Sequence, residues 1–187
     1  MTRCSWPGKD DLMIKYHDTE WGSPCHDDKL HFEYLILDTF QAGLSWQTIL
    51  HKRENFRRAF NNFNPKIIAR YDKNKVKSLM TDKGIIRNRL KIDSAVKNAN
   101  AFLKIQKEFG SFDNYIWQFT GYKTIHSKHK TLSNIRSKSS ESDAMSRDLK
   151  KRGFSFVGST ICYAYMQGAG LINDHLISCF RYKIVKR

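Results

Sequence analysis

The stretch "DLKKRGFSFVGSTICYAYMQ", residues 148–167, decides how the rest of the chain is read. It has the form helix, tight hairpin, helix. Such a hairpin presents backbone N–H groups and a helix N-terminus to a phosphate without touching a base. Gly158 lets another backbone approach closely. Ser159 and Thr160 offer hydroxyls, and Lys150, Lys151 and Arg152 supply charge. A plain packing corner between two helices has the same form, and the stretch alone does not separate the two.

Upstream of the hairpin, Ser142 or a neighbouring serine caps a helix that Gly153 closes. Before it, "KTIHSKHKTLSNIRSKSS", residues 123–140, carries five Lys or Arg, five serines and no acid. It is expected to be a loop, solvated or lying along phosphates. Downstream, the helix from Ser159 is expected to be the last, running on through "GAGLINDH". Earlier segments are helical too. Residues 29–43 place Leu30, Tyr34, Leu37 and Gln41 on one stripe. Residues 45–63 carry Phe56, Phe60 and Phe63 on another, stopped by Asn64-Pro65. Residues 65–84 read as two short helices, 86–110 as a long one closed by Gly110, and 111–121 as a short one. Residues 1–28 show little periodicity. No alternating run of strand length stands out, so the chain is expected to be mostly α, a single domain over 1–187.

Hydrophobic residues make up 40% of the 187, which argues against disorder. Lys and Arg number 33 against 18 Asp and Glu, a net charge of +15. That favours an anionic partner, nucleic acid before an anionic membrane, although a lysine-rich composition alone would look the same. No stretch approaches a membrane span and no apolar signal core opens the chain, so a cytoplasmic setting is expected. In that setting the four cysteines point to metal binding or burial rather than disulfides.

His175 and Cys179, four apart, point the same way if their segment is helical. Cys25 and His26 are adjacent, poor geometry for joint ligation, and Cys162 reads as a core thiol. Cys4 and His17 remain, and would complete a Cys2His2 set suited to structural zinc. Four unrelated residues are the alternative, and spacing alone does not exclude it. Trp6, Tyr16, Trp21 and Trp46 cluster early, as core filling or as planes that hold an extruded base. Asp38 lies among apolar neighbours, either facing solvent or functional.

These pieces meet in longer blocks: "RCSW" (3–6), "YHDTEWGSP" (16–24), "DDKLHFEYLILD" (27–38), "QAGLSWQTILHKRENFRRAF" (41–60), "GIIRNRLKI" (84–92), residues 142–163 and "GLINDH" (170–175). In this order they resemble the bacterial constitutive 3-methyladenine DNA glycosylase I family over nearly the whole chain. The resemblance implies an all-α helix-hairpin-helix fold, its motif at about 143–170, with a zinc-stapled N- and C-terminal region. It implies one structural Zn2+ per chain on Cys4, His17, His175 and Cys179, joining 4–17 to 175–179. It implies that Tyr16 and Trp46 stack on the extruded base, that Trp6 and Trp21 wall the pocket, and that Gly43 and Leu44 sit where the base leaves the stack, Leu44 as the wedge. Gly158, Ser159 and Thr160 would hold DNA. The expected partner is double-stranded alkylated DNA, 3-methyladenine the product, and the state monomeric.

The chain departs from the family at three places. The usual base-binding glutamate falls on Asp38, a tyrosine falls on Met13, and a glycine falls on Leu90. The implied reaction is monofunctional hydrolysis of an N-glycosidic bond, without a lysine nucleophile. Asp38 acts as the selecting carboxylate, and Asp174 has no catalytic role. The competing readings are a zinc-containing protein that binds alkylated DNA without cleaving it, and a DNA-binding module with no pocket.

Overall fold

The structure, a computed structural model, describes residues 2–185. Ten α-helices are found among them: α1 (Asp11–Thr19), α2 (Asp28–Gln41), α3 (Trp46–Ala59), α4 (Pro65–Ile68), α5 (Lys73–Thr81), α6 (Arg89–Phe109), α7 (Phe112–Trp117), α8 (Ser140–Lys151), α9 (Ser159–Gly168) and α10 (Phe180–Val185). Two-residue strands β1 (Ile125–His126) and β2 (Ile172–Asn173) pair in parallel, Ile125 with Ile172 and His126 with Asn173. The all-α expectation holds, because no segment carries the alternation that a sheet face needs.

Local chemistry sets the helix starts. Asp10, Asp27, Ser45, Asn64, Asp72, Asn88, Ser111 and Ser139 each accept a hydrogen bond from a backbone N–H in the first turn of α1 to α8. At α8 the bond is reciprocal, since the Ser142 hydroxyl accepts from the Ser139 N–H. α9 begins differently: Gly158 supplies no side chain, and the first N–H groups of this helix have no such cap.

α2 is the hub. Every residue from His31 to Phe40 is buried, so it is not the one-striped helix that Leu30, Tyr34, Leu37 and Gln41 suggested. It packs against α3, α6, α7 and α9. Around it lie Phe56, Phe60 and Phe63, all fully buried, and the stacked pair Phe102–Phe112 at 4.2 Å. α8 and α9 form the helical hairpin. Two fully or almost fully buried side chains brace its turn. Asn98 accepts from the Ser155 N–H at 2.8 Å and donates to the Ser155 carbonyl at 3.1 Å, and Ser146 donates to the Val157 carbonyl at 2.6 Å.

Three expectations need correction. The low-periodicity residues 1–28 contain α1, whose apolar face is only Met13 and Tyr16 and is too short to register as a stripe. The helix from Ser159 stops at Gly168 rather than reaching His175, because Gly170 turns at φ +73 and the chain enters β2. A further helix, α10, then ends the described chain. Residues 123–140 are irregular as expected, apart from β1 and one short turn of 3-10 helix at Leu132–Asn134.

Candidate active site and metal centre

A second, smaller cluster of apolar side chains lies beside the main core. It joins Met13, Tyr16, Trp21 and Leu50, with Trp6 and Trp46 packed against it. These rings wall a chamber of about 410 Å³ lined by Trp6, Tyr16, Trp21, Asp38, Gln41, Trp46, Leu132, Ile135, Ala164 and Gln167. The four sequence-singled aromatics and Asp38 therefore share one cavity. Trp6 meets Trp21 edge-on at 5.1 Å, and Tyr16 lies tilted against Trp46 at 5.2 Å. Tyr16 is held close to α9: a Cβ on Gly168 would stand 3.2 Å from its hydroxyl.

Asp38 projects from α2, 5% exposed. Among the described residues its carboxyl has no hydrogen-bond donor, and burial pushes it well above the ordinary carboxyl value of 3.8. The solvent-facing alternative is thus excluded. The indole Nε1 atoms of Trp6 and Trp46 are buried and likewise unpartnered. Unmade bonds of this kind cost about 1–3 kcal/mol each. Two residues that line the chamber thus carry unsatisfied donors, and a third carries a buried carboxyl without a donor.

Five lining residues escaped the sequence reading: Gln41, Leu132, Ile135, Ala164 and Gln167. Leu132 and Ile135 belong to the cationic segment read as a loop. Their 3-10 turn places positions i and i+3 on one side, and both side chains turn towards the chamber while their polar neighbours face water. That three-residue spacing was the available signal. Gln167 donates to Asp174 at 2.7 Å, and Tyr163 to the same carboxylate at 2.8 Å. Asp174 thus sits behind the lining residue Gln167. Met13 is buried in the wall cluster but does not line the chamber. Leu44 is 41% exposed, and Leu90 69% exposed.

Cys4, His17, His175 and Cys179 are all buried, and their ligand atoms lie within 4.8 Å of one another. His175 Nδ1 is 3.2 Å from His17 Nε2, 3.7 Å from Cys179 Sγ and 3.9 Å from Cys4 Sγ. Cys179 Sγ is 3.6 Å from His17 Nε2. A tetrahedral shell with metal–sulfur bonds of about 2.3 Å and metal–nitrogen bonds of about 2.0–2.1 Å spaces its donors roughly 3.3–3.8 Å apart. The donor set fits such a shell. The outward ring nitrogens are engaged: His17 Nδ1 lies 2.7 Å from Asp18, which Arg3 grips with two bonds, and His175 Nε2 lies 2.9 Å from the Trp21 carbonyl. Those partners orient both rings towards the centre. Burial lowers the pKa of both, His175 to about 3, so both rings are neutral at pH 7, the form that ligates.

The segment from His175 to Cys179 is a turn, not a helix. The two side chains converge although the helical reason for expecting it is absent. Gly22, at φ +77, is required here as well, because a Cβ would stand 3.0 Å from His175 Nε2. The N-terminal segment is stitched down by more than these four residues. Gly22 N–H donates to the Gln167 carbonyl and Cys25 N–H to that of Ala169, both at 3.0 Å, and Phe180 N–H to that of Thr2 at 2.9 Å.

Comparison with known proteins gives one answer. The model of the family described as methyladenine glycosylase matches residues 6–182. The chain is 46% identical over 182 residues to DNA-3-methyladenine glycosylase 1 of Escherichia coli (strain K12), covering 97% of each. A crystal structure of 3-methyladenine DNA glycosylase I superposes with a TM-score of 0.94 at 44% identity, covering 96% of this chain and 98% of the other. A structure addressing 3-methyladenine recognition by the Staphylococcus aureus 3-methyladenine DNA glycosylase I superposes with a TM-score of 0.93 at 34% identity, covering 96% of each.

Proposed function

This chain belongs to the methyladenine glycosylase family and is a DNA glycosylase acting on 3-methyladenine, and we propose that its aromatic chamber holds the extruded base with Asp38 as the selecting group. The observation that carries the residue assignment is the buried, donor-less Asp38 carboxyl among four aromatic rings. Methylation at ring nitrogen 3 makes the adenine a cation. A cationic ring between Tyr16 and Trp46 gains roughly 1–3 kcal/mol per stacked aromatic. Its charge over a ring adds about 0.5–2 kcal/mol. It also restores to Asp38 the charged form that burial disfavours. An unmethylated adenine offers no charge to repay that ionisation.

Hydrolysis forms a bond between water oxygen and the sugar carbon and breaks the bond to the base. The electron pair goes to the base, which leaves neutral, and the water gives up a proton. The leaving group needs no protonation. Asp38 binds the cation before the bond breaks, so its contribution is to selection more than to the rate of the chemical step. We assign no lysine nucleophile and expect release without strand cleavage.

Leu44, beside Gly43, is the wedge in this proposal, and the hairpin of α8 and α9 is the phosphate grip. Two features support the grip. Gly158 has an ordinary φ of −66, and a Cβ there would meet nothing within 4 Å. No demand of the fold calls for glycine, whereas a closely approaching backbone does. The uncapped start of α9, with Ser159 and Thr160, leaves N–H groups for such a partner. Zinc suits the Cys2His2 set and would act structurally, since four protein ligands leave no position for water. The working unit is one domain and a monomer on duplex DNA in a bacterial cytoplasm.

Single-turnover release of 3-methyladenine from methylated duplex DNA tests the assignment, with D38N alongside. Release by the parent and loss in D38N are expected. Binding without release would favour the reader of damage over the enzyme.

A further inference from the structure

Lys91 has no part in the chamber, the metal centre or the hairpin, yet it is only 6% exposed. It lies in the first turn of α6, the wrong end of that helix for a cation. Burial lowers its pKa, and an ammonium taken from water needs strong partners. It has them on another helix. Nζ donates to the Phe40 carbonyl at 2.8 Å and to the Ala42 carbonyl at 2.5 Å. These carbonyls lie at the C-terminal end of α2, where helix geometry leaves acceptors unpaired and the dipole is negative.

The two bonds bracket Gln41, which lines the chamber. They stop one residue short of Gly43, at φ +79, and two short of the exposed Leu44. A Cβ on Gly43 would touch nothing within 4 Å, so the loop has no packing partner at that point. One backbone bond, Leu44 N–H to the Gln41 carbonyl at 2.6 Å, closes the turn. Ser45 then caps α3. Among the described residues, the hydrogen bonds that tie this loop to another element ahead of α3 are those of the Lys91 ammonium.

We propose that Lys91 is a positioning residue for base extrusion: its clamp on the Phe40 and Ala42 carbonyls holds Leu44 in fixed relation to the chamber wall at Gln41. This rests on the reading of Leu44 as the wedge. An unclamped loop keeps the chamber but presents the wedge in many orientations, and misplacement of about 1 Å is enough to cost orders of magnitude in rate.

The test compares K91M with the parent on a methylated strand in duplex and the same strand unpaired, and measures the affinity of free 3-methyladenine by Trp fluorescence. Flipping costs least from a single strand, so the wedge matters most in duplex. The expected result is a fall of at least about tenfold in duplex release, the size of a lost charge-assisted bond. Single-strand release and free-base affinity should stay within about twofold of the parent, well inside the tenfold that this bond is worth. A merely structural lysine would lower both substrates alike, and that outcome, or no change in the ratio, overturns the proposal. If K91M does not fold, K91Q is read the same way. L44A separates the two readings. A normal ratio in L44A refutes the wedge itself, and a lost ratio in L44A beside a normal one in K91M refutes only the role of Lys91.

Discussion

Asp38 stands one methylene short of the family's glutamate, in a chamber that gives it no donor. D38N removes the charge and keeps the shape. It should lose base release by roughly one to two decades, the cost of an unmatched contact in a dry site, while its circular dichroism and undamaged-DNA binding match the parent. D38E asks whether the shorter acid is a deficit: a faster release says so, and a slower one says that the chamber has closed around Asp. Asp38 also leaves a mark on stability. Its folded pKa is raised above 3.8, so the folded state holds its proton more tightly than the unfolded chain. The resulting stability is complete below about pH 4 and is lost as pH rises through the raised folded value. Relative to D38N, which has no proton to lose here, the parent should therefore fall in melting temperature as pH rises from about 4 towards neutral, and a difference that stays constant with pH would contradict this. The acid itself was visible in the sequence, but its burial was not, because it depends on ten consecutive residues of α2 being inside. Leu132 and Ile135 were hidden for the opposite reason: two apolar side chains among five cations look like chance until a 3-10 turn aligns them.

Among the elements, the hairpin offers the sharpest test, because under the proposed phosphate grip the fold and the DNA would ask different things of Gly158. G158D would give α9 the side-chain cap that it lacks. Stability should hold or rise by a few tenths of a kcal/mol. The same carboxylate would occupy the N–H groups and repel a phosphate, so affinity for any duplex should fall by about tenfold or more, as for loss of a charge-assisted contact. Affinity of the parent should also drop steeply with salt, and a flat titration would count against the phosphate grip. The two-helix form was legible because Gly153 and Gly158 flank its turn. Its bracing by Asn98, 57 residues upstream of Ser155, was not, since nothing local links the two segments. Similarly, the stop of α9 at Gly168 depends on a close approach: a Cβ on Gly170 would lie 2.3 Å from the Ser23 backbone.

Over the whole molecule, the two ends of the chain are brought together twice, by the buried cluster of Cys4, His17, His175 and Cys179 and by backbone hydrogen bonds at Thr2, Gly22 and Cys25. C179S should therefore lose the metal without losing the fold. We expect about one zinc per chain in the parent and near none in the variant, with a lower melting temperature and unchanged helicity. Metal analysis of protein prepared without chelators checks it, and zinc-free parent protein would refute the site. The donor set could be assembled from sequence only by elimination, because His17 and His175 are 158 positions apart. The helical content was readable from caps and stripes, whereas the closure of first on last required the structure.

That closure imposes an order on manufacture. At synthesis rates of roughly 5–20 residues per second, His17 leaves the ribosome about 8–30 s before His175 can join it. For that interval Trp6, Tyr16 and Trp21 lack the carbonyl, thiol and helix surfaces that hold them, and the nascent chain has no finished chamber. An ion held by Cys4, His17, His175 and Cys179 could therefore be captured only late in synthesis, once Cys179 has followed His175 out of the ribosome.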